Sequence, residues 1–177
     1  VQDRLLPHLN NDTDIDIYGI CTSTGIKAKK IAKKYNARIC STDYDDLLNT
    51  PEINTVIIGT RHNTHAEIVL KALKAKKNIF VEKPLCLTIK ELNQIKSYIE
   101  KQNKCPKVFV GFNRRFSHHA QKVKEHFSDK LSPLTMIYRV NAGHINENNW
   151  IQKLNIGGGR IIGETCHFID LMQFVCG

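Results

Sequence analysis

Thr55-Val56-Ile57-Ile58-Gly59 constrains the fold more than any other stretch of this chain. A β-branched, nearly all-apolar run of this length reads as a strand buried on both faces. That is the habit of a parallel sheet covered by helices on each side. The neighbouring sequence keeps the same rhythm. Upstream, Ile15–Cys21 reads as a strand and Ile26–Tyr35 as a helix, with Thr24-Gly25 at its start and Asn36 at its end. Arg38–Cys40 is a short strand, and Tyr44–Leu48 a short helix closed before Pro51. Downstream, His65–Ala75 places Ile68, Val69, Ala72 and Leu73 on one helical stripe, and Asn78–Val81 is the next strand. Strand and helix in regular alternation predict an α/β chain with a doubly wound parallel sheet.

Beyond Pro84 the texture changes. Thr88 is placed to cap a helix reaching Gln102, with Glu91 as the other half of a capping box. Lys107–Phe112 reads as a strand and His118–Phe127 as a polar helix. Leu134–Asn141 alternates as a strand with one open face does. Gly157-Gly158-Gly159 then leads into an apolar helix that runs to Gly177. The predicted division is a dinucleotide-type unit over residues 1–106 and an α/β unit with an antiparallel sheet over residues 107–177. No Gly-x-Gly-x-x-Gly follows a strand in the early part of the chain, and Val1–Pro7 reads as the end of a helix. The expectation is a fragment cut at both ends, its parallel sheet lacking the first strand.

Bulk properties narrow the function. The chain has 177 residues, 41% hydrophobic and 24% charged, which is ordinary for a soluble globular protein. No window approaches the ~18 uninterrupted apolar residues of a membrane helix, and no signal-peptide pattern opens the chain, so no membrane partner and a cytoplasmic location are expected. The net charge of +9 is spread over two helix faces, Lys27, Lys29, Lys30, Lys33 and Lys34 on one and Lys71, Lys74, Lys76 and Lys77 on the other. Without an aromatic-interleaved basic strand, this does not read as a nucleic-acid surface. Six cysteines show neither a Cys-x-x-Cys pair nor metal-ligand spacing, so reduced thiols and no metal are expected.

Four stretches carry candidate chemistry. Glu82-Lys83-Pro84 follows a strand directly, and ligands of α/β sheets bind at strand carboxyl ends. A partly desolvated lysine beside a carboxylate can shuttle a proton or polarise a carbonyl; the bland alternative is ordinary loop chemistry. Thr60-Arg61-His62-Asn63-Thr64-His65, at a strand-to-helix turn, offers backbone amides to a phosphate, or is simply a hydrophilic turn. Gly111-Phe112-Asn113-Arg114-Arg115-Phe116 brings paired arginines to a strand end, for an anionic or hydroxylated ligand or for surface ion pairs. Glu164, His167 and Asp170 share one face of a helix. Two carboxylates beside His167 would set its pKa near neutrality for acid–base work; the alternative is a buried structural network.

Together and in this order, these motifs resemble the Gfo/Idh/MocA oxidoreductases, from about Ile15 to Gly177. The resemblance implies a Rossmann domain for NAD or NADP and a second domain whose open antiparallel sheet covers the nicotinamide. It implies hydride transfer to or from a sugar, cyclitol or nucleotide-sugar, and a homo-oligomer in the full-length protein. By motif, Lys83 and His167 would be catalytic, with Glu82, Lys83 and Pro84 holding the nicotinamide ribose. Thr60, Arg61, His62 and His65 would form the cofactor turn. Arg115, Trp150 and Glu164 would face the substrate.

Three departures matter. Many relatives carry an aspartate where this chain has Gly163, with Glu164 one position along as a possible substitute. The acid expected after the second strand is replaced by Cys21-Thr22-Ser23-Thr24, and Thr22 and Ser23 with nearby Lys27 and Lys29 tilt the cofactor towards NADP. The phosphate loop would precede Val1, so the fragment alone is expected to be inactive. A competing reading is a non-catalytic ligand-binding or regulatory protein on the same fold. Presence of Lys83 and His167 opposes it and the loss at Gly163 favours it.

Overall fold

The computed structural model describes residues 5–129 and 132–177. A short helix α1 (Leu6–Asn10) precedes β1 (Gly19–Cys21), α2 (Gly25–Lys34), β2 (Ile39–Ser41) and α3 (Tyr44–Leu48). β3 (Thr55–Ile58), α4 (His65–Lys74), β4 (Asn78–Val81), α5 (Ile89–Glu100) and β5 (Val108–Val110) follow. α6 (His118–His126) and α7 (Cys166–Cys176) complete the regular elements. β1 pairs with β2, and β3, β4 and β5 form a second sheet in that order, every ladder parallel. The expected alternation therefore holds, and so does the parallel, helix-covered fold class.

Local chemistry explains most boundaries. α5 starts at a complete capping box, Thr88 accepting from the Glu91 amide while Glu91 accepts from the Thr88 amide. α3 is capped by Asp43, whose carboxylate accepts from the Asp45 amide. α2 gives way at Asn36, which takes a left-handed φ of 54°, a conformation asparagine tolerates. The main core joins α4 to the sheet: Val69, Ala72, Leu73, Ile79, Val81 and Ile95 are almost wholly buried. A second, smaller core gathers Leu6, Ile20, Ile31, Ala32 and Tyr35.

Several expectations are corrected. The strand predicted over Ile15–Cys21 begins only at Gly19, because its partner β2 starts at Ile39 and leaves Ile15–Tyr18 no ladder to join. β3 is not buried on both faces, since Ile57 is 38% exposed. α4 packs against β3 and β4, and the face shared by Ile57, Phe80 and Phe109 leaves Ile57 and Phe109 exposed. That open face carries Phe80 stacked on Phe109, ring centroids 5.4 Å apart, with Phe116 beyond them. Lys77 does not lie on a solvated helix face: it is buried just past α4, its ammonium donating to the Thr50 carbonyl. The alternating stretch 134–141 forms no strand, and no antiparallel pairing occurs among the described residues. Alternation marks a surface that could pair, but a strand needs a neighbour to satisfy its amides. Of the helix end predicted at Val1–Pro7, Val1–Arg4 lie outside the described residues, and α1 runs on past Pro7.

Candidate active site

Because β3, β4 and β5 are parallel, the loops leaving their carboxyl ends emerge at one edge of the sheet. Thr60 and Arg61 follow β3 and are exposed, ahead of a short 3₁₀ turn over His62–Thr64. Glu82 and Lys83 follow β4, and the Lys83–Pro84 peptide is cis. Gly111 and Phe112 follow β5 and enter a 3₁₀ turn over Asn113–Phe116. His65, fully buried at the start of α4, bridges two of these loops. Its Nδ1 lies 2.7 Å from the Pro84 carbonyl oxygen and its Nε2 3.1 Å from that of Thr60.

Lys83 reaches across the site to the late part of the chain. Its Nζ donates to the Gly163 carbonyl at 2.6 Å. Gly163 belongs to a π-helical turn over Ile161–Thr165, closed by the Cys166 amide on the Ile161 carbonyl. The same turn runs into α7, which carries His167. Residues 80 positions apart are thus joined, and the lysine is tied to the turn just ahead of the histidine. The His167 ring stands edge-on to Phe112 at 6.0 Å, and its buried Nδ1 has no hydrogen-bond partner among the described residues.

His167 does not sit near neutrality. Burial, then the charges of Lys83 and Arg114, push its pKa down to about 4, with Asp170 opposing weakly. The two flanking carboxylates were expected to hold it higher, but arginines take both. Arg115 Nε donates to Asp170 at 3.0 Å while its terminal nitrogen bonds the other carboxylate oxygen, and Arg160 Nε lies 2.5 Å from Glu164. Each pairing offsets the negative charge that would have favoured an imidazolium.

The other predicted residues fall as follows. Arg115 spends its planar fork on Asp170, whereas Arg114 stays exposed, its guanidinium 4.7 Å from the Phe168 ring centre. Trp150 packs on the cofactor-type turn: His62 meets it edge-on at 4.9 Å and Arg61 lies over it at 5.8 Å. Within that turn the amides of Asn63, Thr64 and His65 bond the carbonyls of Ile156, Arg61 and His62. Those three amides are taken, so the turn presents the side chains of Thr60 and Arg61. Thr22 donates its hydroxyl to the Thr24 carbonyl, and it lies with Ser23 between β1 and α2. Sequence reasoning missed the Gly163 carbonyl and the approach of Arg114 to His167. A main-chain acceptor leaves no mark in the residue alphabet. Among the described residues, no group of three or more His, Cys, Asp or Glu could hold a metal ion, and no helix is long and apolar enough to cross a membrane.

Residues 1–112 match the oxidoreductase family with an NAD-binding Rossmann fold. The chain belongs to the Gfo/Idh/MocA family. Among relatives of this Gfo/Idh/MocA protein is a myo-inositol 2-dehydrogenase of Thermotoga maritima, 26% identical over 93% of this chain and 48% of its own. Another is an inositol 2-dehydrogenase/D-chiro-inositol 3-dehydrogenase of Lactiplantibacillus plantarum, 31% identical over 89% of this chain and 44% of its own. The chain therefore spans about half the length of the curated relatives it matches. The fold of myo-inositol dehydrogenase from Lactobacillus casei, solved with NAD(H) and myo-inositol, superposes over 97% of this chain and 50% of that one, with a TM-score of 0.79 at 23% identity.

Proposed function

We propose that the protein is an NAD(P)-dependent oxidoreductase moving a hydride between nicotinamide and a sugar, cyclitol or nucleotide-sugar hydroxyl or carbonyl. The observation that carries this reading is the Lys83–Gly163 contact, which draws the lysine at the end of β4 to the turn that delivers His167. The cofactor, when bound, supplies the hydride acceptor or donor. His167 is uncharged at neutral pH and can take the proton of a reacting hydroxyl at the ring nitrogen presented to it. Lys83, held by a carbonyl, orients that hydroxyl and stabilises the negative charge that develops on its oxygen. A histidine of such low basicity needs that help, because the lysine makes the hydroxyl easier to deprotonate.

The donor set fits a dinucleotide. Three parallel strand ends converge, Lys83 and Arg61 supply positive charge, and a buried Nδ1 on His167 awaits a partner. Glu82, Lys83 and Pro84 would hold the nicotinamide ribose, and Thr60, Arg61, His62 and His65 would form the wall beside it. Thr22 and Ser23, with the exposed Lys27 and Lys29, favour the 2′-phosphate of NADP. Trp150 and Glu164 would border the substrate, and Arg115 would act on it through Asp170 and α7. In this reading residues 1–106 serve the cofactor and residues 107–177 the substrate, with β5 tying the second unit to the first sheet. A homo-oligomer in the cytoplasm completes the proposal.

In the intact protein, Lys83→Ala or His167→Ala should cut turnover by at least roughly two orders of magnitude while cofactor binding survives. Near-normal turnover in both variants would sink the assignment. The absence of a side chain at Gly163 favours a second reading, a ligand-binding regulator that no longer performs the chemistry. Cofactor titration followed by turnover over a panel of sugars and cyclitols separates the two. Tight binding without reduction of any of them selects the regulator.

A further inference from the structure

We infer that His62 is a positioning residue for Lys83: it fastens the backbone contact between Gly157 and Gly163 whose outer carbonyl holds the lysine. The inference rests on Lys83 being catalytic, but its geometry stands apart from that role. His62 is only 7% exposed, and its Nδ1 lies 2.7 Å from the Gly157 carbonyl oxygen. A carbonyl only accepts, so Nδ1 carries the proton and donates. The Trp150 edge packs against the ring at 4.9 Å. Burial, with the charges of Lys83 and His65, works against a second proton on the ring, although the Gly157 bond opposes this.

The same carbonyl abuts Gly163. A Cβ built on Gly163 would lie 2.7 Å from the Gly157 oxygen and 3.5 Å from both Cε1 and Nδ1 of His62. The ring, the Gly157 carbonyl and the Gly163 backbone therefore form one packed contact that only a glycine at 163 allows. Gly157 cannot retreat freely, because its own Cβ position lies 2.4 Å from the Ile151 backbone. A second bond, Asn63 amide to Ile156 carbonyl at 3.1 Å, fixes the strip one residue earlier. Beyond this seam the Gly163 carbonyl accepts from Lys83, the only hydrogen bond of the Lys83 side chain among the described residues. Among the described residues no carboxylate forms an ion pair with the ammonium, so its place depends on where that carbonyl sits. The carbonyl's place depends in turn on the grip of His62.

The test uses the full-length protein and trace acetic anhydride as probe, with acetylation of Lys83 read by mass spectrometry against the exposed Lys96. His62→Phe keeps an aromatic ring against Trp150 but loses the donor, whereas His62→Asn keeps an N–H within similar reach. Loss of the carbonyl's hold on the ammonium should raise relative Lys83 acetylation about 10-fold in His62→Phe, and His62→Asn should bring it back towards the wild-type value. Gly163→Ala, which leaves His62 in place but crowds the seam, should raise it too and serves if the Phe variant fails to fold. Lys83 acetylation equal to wild type in both Phe and Ala variants overturns the inference. Where turnover is measurable, kcat of His62→Phe should fall and His62→Asn should restore it towards wild type. Should the wild-type protein reduce no polyol while acetylation still separates Phe from Asn, the enzyme reading fails and the positioning role stands.

Discussion

A histidine whose pKa lies near 4 makes a specific demand on pH behaviour. The native ring stays neutral down to about pH 4, whereas the unfolded chain takes up a proton below about 6.5. Between those values the unfolded state binds more protons, so His167 costs stability as pH falls through this window and nothing further below it. Urea midpoints from pH 7 to 4 should show that slope, and His167→Gln should remove its share; equal slopes would refute the assignment. For the same reason the acid limb of kcat/KM, which reports the free enzyme, should fall near pH 4 rather than 6.5 if His167 is the base. The candidate residues themselves were legible, since Lys83 and His167 lie in recognisable motifs. Their electrostatics were not. Arg115 meets Asp170 across 55 positions, and no local spacing announces that pairing. His62 shows the same limit: its turn was visible, while its grip on Gly157, 95 positions away, was not.

At the level of elements, legibility followed how local the signal was. The Thr88–Glu91 capping box and the α3 span over Tyr44–Leu48 emerged as read, because side chain and backbone only two or three residues apart decide them. Thr88→Ala should therefore cost about 1 kcal/mol, measured by chemical denaturation, with the loss confined to the amides that open α5. A cost near zero would mean that packing of Ile95 alone sets where the helix starts. Strands were less legible because each depends on a partner elsewhere. Ile15–Tyr18 and residues 134–141 have strand-like composition, yet among the described residues neither finds a ladder. The open face of β3–β4–β5 has the same origin, since composition cannot say which side of a strand a helix will cover.

Across the whole molecule, two cores of unequal size imply two levels of stability. The sheet of β3, β4 and β5 with α4 holds nearly all the fully buried side chains, while β1, α2 and β2 rest on the smaller group around Ile20 and Ile31. Native-state hydrogen exchange should find the slowest amides in β3, β4 and α4, and faster ones in β1 and β2; the reverse order would contradict this division. Among the described residues, three bonds run from the loops after β3 and β4 to the late segment, from Asn63, His62 and Lys83 to the carbonyls of Ile156, Gly157 and Gly163. Every acceptor among them is main chain. No substitution in the late segment can erase such an acceptor; it can only displace one, by adding bulk where glycine now stands. The late half is therefore free to change most of its side chains without losing its hold on the lysine. Mutational tolerance and vulnerability are thus divided unevenly, with the donors carrying the identity of the site and the acceptors carrying only its shape.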